Sequence, residues 1–314
     1  MVIAIGLLLL GLVLLYFGAE FLVRGSANLA LHMGVSALVV GLTIVAFGTS
    51  APELVVSLKA GLDGNGDIAI GNVVGSNIFN IAMILGISAL IQPMKVNLNV
   101  LRVDTPIMVA VSVLFFICLR DFTVSRIEGV ILTLGIIIYT IVTIIISRTR
   151  NDKIIDIPVS QVVSPKKNNV LISVCYIILG LGSLVVGSRF FVDGAVDLAR
   201  FIGVSEAVIG LTIVAGGTSL PELATSIIAA VKKESDIAIG NIIGSNIFNI
   251  LAIIGISSCV SPLHAAGINP INLYFMMGVS VMLFPLMRTG FKLSRIEGGI
   301  MLSVYGCYLL YILH

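Results

Sequence analysis

The 314-residue chain has no tryptophan, four cysteines, three histidines and only 11% charged residues. Each scarcity closes off a class of protein. So few charges cannot cover a water-soluble body of this length, and with 58% hydrophobic residues and a mean hydropathy of +1.15 the chain belongs in a bilayer. Cys118, Cys175, Cys259 and Cys307 fall in or at the ends of apolar runs at irregular spacing, which gives neither a disulfide framework nor a paired-cysteine metal site. His32, His264 and His314 lie near the ends of runs or at the terminus, so none is assigned a chemical role. Without tryptophan, an interfacial belt must rest on the seven tyrosines and the basic residues. The first apolar run has no basic segment before it and no small-residue cleavage motif after it, so it reads as a retained helix.

What is present is apolar length. Ten runs approach the roughly 20 residues that a spanning helix needs: 3–23, 35–60, 68–92, 100–119, 127–147, 170–191, 204–231, 237–260, 271–287 and 296–313. They are continuously apolar, which excludes the alternating strands of a membrane barrel. The expected fold is all-α, a polytopic membrane protein of ten transmembrane helices.

The chain also repeats itself. Residues 34–88 return at 203–257 without a gap and with 35 of 55 positions identical, an offset of 169. The same offset carries Phe21 and Gly25 onto Phe190 and Gly194, Pro93 onto Pro262, and Ser125-Arg126-Ile127-Glu128-Gly129 onto Ser294-Arg295-Ile296-Glu297-Gly298. Two halves of five runs each follow, 1–147 and 170–314, joined by a polar linker at 148–169 that is too short for a folded domain. An odd number of crossings per half inverts the second half relative to the first, the arrangement of many secondary transporters. Placing the first terminus outside puts 13 of the 18 basic residues on the cytoplasmic side and leaves Lys59, Arg120, Arg126, Arg189 and Arg200 outside. The expected topology in the cell membrane is therefore both termini outside and the linker inside.

Chemistry concentrates in two runs of each half. The second reads Ala46-Phe47-Gly48-Thr49-Ser50-Ala51-Pro52-Glu53, repeated as Ala215-Gly216-Gly217-Thr218-Ser219-Leu220-Pro221-Glu222. Proline lacks an N–H and clashes with the carbonyl four residues back, so the helix must kink or break there and release carbonyls at Gly48 and its neighbours Ala46 and Thr49. At membrane depth such carbonyls need protein, water or a bound cation. The third run reads Gly71-Asn72-Val73-Val74-Gly75-Ser76-Asn77-Ile78-Phe79-Asn80, repeated as 240–249. Asn72, Ser76 and Asn80 fall on one helix face, and the paired glycines admit a neighbouring backbone. Of sixteen acids, only Glu53 and Glu222 are expected well inside a run; a central carboxylate costs about 2.5 kcal/mol or more to insert and by default marks an ion or proton path. For Asn72 and Asn241, helix packing is the expected role. The fourth and fifth runs of each half read as wall, with Pro270 an end and Pro285 a kink.

Two carboxylates with hydroxyl, amide and carbonyl oxygens, and no thiolate or imidazole, match a hard cation such as Ca²⁺. A site of formal charge −2 is neutralised by one Ca²⁺ or two monovalent ions, and moving it empty is unfavourable, so exchange is expected over uniport. An intramembrane metallohydrolase lacks a ligand set here, and a passive channel does not explain two acids in broken, inverted helices.

The paired GTSxPE and GNxxGSNIFN blocks closely resemble the two alpha repeats of the cation/Ca²⁺ exchanger superfamily, especially prokaryotic sodium/calcium exchangers, across both halves. The resemblance implies Na⁺ moving inward against Ca²⁺ moving outward by alternating access. It makes Glu53 and Glu222 the central Ca²⁺ ligands with the carbonyls of Thr49 and Thr218, completed by Asn80 and Asn249. Ser50, Ser76 and the Ala46 carbonyl would form one Na⁺ site; Ser219, Ser245 and the Ala215 carbonyl the other. Ca²⁺ and Na⁺ enter as transported substrates, with no organic cofactor and no partner expected beyond the bilayer. Some relatives carry Asp where this chain has Asn80 or Asn249, which argues against K⁺ dependence. Proton-coupled relatives place a further acid in the third and eighth runs, where this chain has none, which favours Na⁺ and leaves Ca²⁺/H⁺ antiport as the alternative.

Overall fold

The computed structural model describes residues 1–151, 170–204 and 215–313. The chain opens with α1 (Val2–Met33), which ends ten residues beyond the apolar run 3–23 that announces it. The apolar run stops at residue 23, and the Arg24-Gly25 that follows reads, in the sequence alone, as a helix end. Instead Gly25 is a packing contact, where an added Cβ would lie 2.8 Å from the Ser173 carbonyl oxygen, and the helix ends at Gly34 with φ +64°.

The second passage is broken, as the proline requires. α2 (Ala37–Thr49) and α3 (Ala51–Leu62) meet at Ser50 (φ −84°, ψ 7°) with a bend of 48°. Pro52 lies in the first turn of α3, where a missing N–H removes no helical bond. After α4 (Gly66–Ile91), α5 (Val100–Asp121) and α6 (Arg126–Asn151), the second half begins with α7 (Val170–Phe201). A helical turn at Ala215–Gly217 precedes α8 (Leu220–Val231), with Ser219 (φ −90°, ψ 8°) at the position of Ser50. α9 (Ser235–Val260), α10 (Pro270–Arg288) and α11 (Arg295–Leu313) complete the chain. Pro270 does begin α10, and Pro285 lies inside it.

The protein is all-helical apart from four two-residue strands in the loops: β1 (Met94–Lys95), β2 (Thr123–Val124), β3 (Leu263–His264) and β4 (Lys292–Leu293). Among the described residues, seven helices are long and apolar enough to cross a membrane, or eight when the broken α2–α3 passage counts as one. α6 runs on through Asn151, past the expected start of the linker; residues 152–169 lie outside the described residues, as does 205–214 ahead of α8.

Among the contacts that hold the two halves together are three that involve the long helices, the loop strands and the centre of the fold. α1 and α7, each 32 residues, pack along their lengths through glycines seven residues apart: Gly11, Gly18 and Gly25 on one, Gly180, Gly187 and Gly194 on the other. A Cβ at Gly18 would lie 2.9 Å from the Gly180 carbonyl oxygen, and one at Gly180 would lie 2.6 Å from the Leu22 amide nitrogen. Only hydrogen at these positions lets the backbones touch. The strands exchange partners in the same reciprocal way: Met94 pairs with Leu293, and Val124 with Leu263, the residues that the 169 offset assigns to each other's counterparts. The third contact is the centre of the molecule, where the most apolar 18-residue stretch of α9 is wholly buried and that of α4 67% so, while that of α6 is 17% buried and forms wall.

The repeated Ser-Arg-Ile-Glu-Gly block is structural. Glu128 accepts from the Ser125 amide at 2.8 Å and hydroxyl at 2.7 Å, and Ser125 Oγ accepts from the Glu128 amide at 3.3 Å, a capping box that opens α6. Ser294 and Glu297 do the same ahead of α11. The glycine that follows meets another backbone: a Cβ on Gly129 would lie 2.8 Å from the Gly255 carbonyl oxygen, and one on Gly298 2.7 Å from that of Gly86.

Candidate cation site

Each break leaves a short helix whose first turn carries a glutamate. Glu53 opens α3 and Glu222 opens α8, both 1% exposed. The N-terminal end of a helix carries partial positive charge, which favours the ionised form of a carboxylate there. The two breaks are stitched to each other. Ser50 Oγ donates to Glu222 Oε1 at 2.8 Å, and Ser219 Oγ donates to Glu53 Oε1 at 3.1 Å, so each half supplies the hydroxyl that holds the other half's acid. Ser219 also lies 3.3 Å from Ser76 Oγ.

One hydroxyl does not satisfy an ionised carboxylate, which offers about four acceptor positions. Glu53 Oε2 and Glu222 Oε2 are buried and have no partner among the described residues. The same is true of Asn80 Oδ1, Asn249 Oδ1, Ser245 Oγ and Thr218 Oγ1. Twelve buried side-chain oxygens lack a hydrogen-bond partner among the described residues; six come from residues expected in the site, and these six include every carboxylate and amide oxygen of the twelve, the chemistry that suits a hard cation.

The remaining expected ligands are placed differently. Thr49 Oγ1 donates to Asn241 Oδ1 at 3.1 Å and lies 3.4 Å from the Ala46 carbonyl oxygen, which also accepts from the Ser50 amide at 3.1 Å. The Ala46 carbonyl is therefore engaged within its own helix. Ala215 begins the helical turn at Ala215–Gly217. Asn72 and Asn241 brace the broken passages: the amide of Asn72 reaches Ser57 Oγ at 3.0 Å and the Glu53 carbonyl at 3.3 Å, and that of Asn241 reaches Ser226 Oγ at 3.0 Å and the Glu222 carbonyl at 3.5 Å.

Sequence reasoning missed a second pair of asparagines. Asn77 Oδ1 accepts from Asn249 Nδ2 at 3.0 Å, and Asn246 Oδ1 accepts from Asn80 Nδ2 at 3.3 Å. Their signal was in the repeated block, three residues before Asn80 and Asn249, but beside the face defined by Asn72, Ser76 and Asn80. Other acids also fall within long helices: Glu20 in α1, near the end of its apolar run, and Asp193 in α7, just past its run. Asp104 lies near the start of α5 and is 4% exposed, accepting from Tyr139 Oη at 3.2 Å beside a cavity of about 470 Å³ shared with Asn97 and Ser147.

The fold is an all-helical, strongly apolar one whose two halves meet at a pair of enclosed glutamates. The chain belongs to the sodium/calcium exchanger family: the family's sequence description, "Sodium/calcium exchanger protein", matches residues 3–145 and again 172–314. It is 36% identical over 309 residues to the putative antiporter CaxA of Alkalimonas amylolytica, covering 97% of both chains. It is 33% identical over 337 residues to the sodium/calcium exchanger MaX1 of Methanosarcina acetivorans, covering 96% of both. Among solved structures it resembles the sodium-calcium exchanger NCX_Mj, soaked with zero Na⁺ and Ca²⁺, with a TM-score of 0.85 at 34% identity over 99% of each chain.

Proposed function

We propose that this protein is an electrogenic antiporter that exchanges Na⁺ entering the cell for Ca²⁺ leaving it. The observation that carries the reading is the pair of enclosed glutamates, each with one oxygen held by a serine of the other half and one left unpartnered. One Ca²⁺ balances the two carboxylates. So do two Na⁺, and a third would carry net charge across the membrane. In this reading Glu53 and Glu222 bind Ca²⁺ with the carbonyls of Thr49 and Thr218 and with Asn80 and Asn249; Ser50 and Ser76 on one flank, Ser219 and Ser245 on the other, hold Na⁺. The backbone carbonyls of Ala46 and Ala215 join these flanks when their helices rearrange.

Ten membrane passages in two inverted halves, 1–147 and 170–314 with 148–169 cytoplasmic and both termini outside, supply the access. The reciprocal contacts between halves support this arrangement, because a two-fold relation makes every contact return. Alternating access then exchanges the roles of the halves around a fixed site. A cavity of about 350 Å³ bounded by Pro52, Val55, Arg189, Asp193 and Thr218 approaches the breaks from the side assigned to the exterior and stops at Thr218, short of the glutamates.

The test is radiocalcium uptake into proteoliposomes preloaded with Na⁺, against K⁺ and choline controls and a separate pH gradient. Uptake that requires internal Na⁺ and responds to membrane potential supports the proposal. Uptake driven by the pH gradient alone moves the function to Ca²⁺/H⁺ antiport on the same two glutamates, a second reading favoured by their enclosure, since a buried carboxylate can take a proton in place of a metal.

A further inference from the structure

An amide side chain can offer a cation its oxygen or, turned over, its NH₂ group, and only the oxygen binds. Asn80 and Asn249 each face that choice at the centre of the molecule, 1% exposed. Their orientation is set by groups that cannot turn. Asn77 Nδ2 donates to the backbone carbonyl of Asn246 at 3.4 Å and to the thioether sulfur of Met276 at 3.8 Å. Neither acceptor has a hydrogen to give. The nitrogen end of Asn77 is therefore committed, and its oxygen must accept from Asn249 Nδ2, at 3.0 Å. Asn249 then presents Oδ1 on its free side. The same logic runs in the other direction: Asn246 Nδ2 points to the Met108 sulfur at 3.6 Å, its oxygen accepts from Asn80 Nδ2 at 3.3 Å, and Asn80 presents Oδ1. Both presented oxygens are among the buried atoms without a partner.

We propose that Asn77 and Asn246 are positioning residues that fix the amide oxygens of Asn249 and Asn80 toward the transported Ca²⁺, each acting across the boundary between the halves. The inference rests on the reading of the centre as a Ca²⁺ site. A ligand amide without its orienting acceptor turns its NH₂ toward the cation for part of the time and loses that contact. Because Asn77 belongs to the first half and Asn249 to the second, the device also makes each half's contribution depend on the other's being in place.

A double-mutant cycle on the purified full-length protein separates orientation from packing. The variants are Asn77→Leu, Asn249→Asp and both together, with Ca²⁺ alone as the probe in isothermal titration. Asn77→Leu keeps the branching and heavy-atom count, though its methyls are bulkier, and removes the acceptor; it is expected to weaken Ca²⁺ binding by about tenfold or more. In the Asn249→Asp background both side-chain ends are oxygens, so no orientation is needed, and Asn77→Leu is expected to change affinity less than about twofold, well below the about tenfold expected for loss of an outer-shell partner. An equal loss in both backgrounds, or none in either, overturns the proposal. Should Asn77→Leu not fold, Asn246→Leu with Asn80→Asp forms the equivalent cycle from the other side. Absence of Ca²⁺ binding by the unmutated protein would instead remove the functional reading on which the inference stands.

Discussion

Replacing either central glutamate by glutamine separates what the carboxylate does for the ion from what it does for the fold. Glutamine keeps an oxygen where Ser50 or Ser219 donates, at 2.8 and 3.1 Å, so the stitch between the broken passages survives. What disappears is one of two charges facing the ion. Removing one partner of a buried ion pair costs about 3–5 kcal/mol, which at about 1.4 kcal/mol per tenfold is roughly two to four orders of magnitude in Ca²⁺ affinity. Ligand-free stability should move the other way or not at all, because an enclosed carboxylate with one hydroxyl partner has been replaced by a neutral amide. The assay is thermal unfolding with and without Ca²⁺, run beside uptake. At a Ca²⁺ concentration about a hundredfold above its dissociation constant, the unmutated protein gains about 2.7 kcal/mol, while a variant weakened a hundredfold gains about 0.4 kcal/mol. Glu53→Gln and Glu222→Gln should therefore insert and purify, melt no lower without Ca²⁺, lose most of the Ca²⁺-dependent shift and fail to transport. Wild-type uptake by either variant, or an undiminished Ca²⁺ shift, would refute the assignment of the centre.

Ser76→Ala and Ser245→Ala should raise the Na⁺ concentration needed for half-maximal exchange several-fold more than they change the Ca²⁺ requirement, measured by uptake at varied Na⁺; an equal effect on both ions would remove these hydroxyls from the Na⁺ flanks. Glu128→Ala takes away a cap and should lower stability by about 1 kcal/mol in thermal unfolding without altering transport kinetics, since the capping box lies far from the glutamates in sequence and serves only the start of α6. Gly216→Ala should transport normally, because a Cβ there meets Phe79 only at 3.9 Å, whereas Gly216→Phe would supply the ring that Phe47 places 5.0 Å from Phe248 in the other half and should slow uptake at unchanged Ca²⁺ affinity.

The repeat, the apolar passages and the break at each proline were legible because each is a local property of the chain: hydropathy, identity at a fixed offset, a missing N–H. The pair Glu53 and Glu222 was legible because acids are so rare here. The length of α1 and α7 was not, since Arg24 and Gly25 read as a helix end when the chain is taken alone; Gly25 has its place only against Ser173 of a helix about 150 residues away. Asn77 and Asn246 were hidden for a similar reason. A helical stripe built on Asn72, Ser76 and Asn80 assigns one face to the site, yet Asn72 turned out to brace Ser57 while Asn77, off that stripe, reaches across to Asn249. Wider π turns at Gly41–Val45, Phe79–Leu85 and Asn249–Ile254 also shift residues around their helices relative to a regular 3.6-residue count. Asp104 escaped because it lies near a helix end in sequence, and its burial depends on α6 bringing Tyr139 over it.

A nearly symmetric sequence holds an asymmetric structure, and the differences all fall the same way. Glu20 on α1 pairs with Lys232 just past α8 at 2.9 Å. Their counterparts by the 169 offset are Arg189 and Asp63, with the charges exchanged, both exposed and joined by no such bridge among the described residues. Thr49 reaches Asn241 while the hydroxyl of its counterpart Thr218 makes no hydrogen bond among the described residues, and Phe47 packs edge-on to Phe248 where Gly216 offers Phe79 no such ring, Phe79 packing edge-on to Tyr305 instead. The cavity that touches Thr218 also touches Arg189. In the alternating-access reading this is one state, shut on the Lys232 side and open on the Arg189 side, and the opposite state is reached when the two halves trade these contacts. The magnitude of the ion pair decides what kind of device it is. With side chains 34% and 30% exposed it is worth no more than about 1 kcal/mol, a bias of roughly fivefold in population and far short of a lock. In that reading the charge-exchanged pair, Arg189 and Asp63, would offer a comparable bias to the other state if it closed to the same distance. An exchanger that must visit both states at every cycle is served by two weak, opposed ties, because a strong one on either side would trap it.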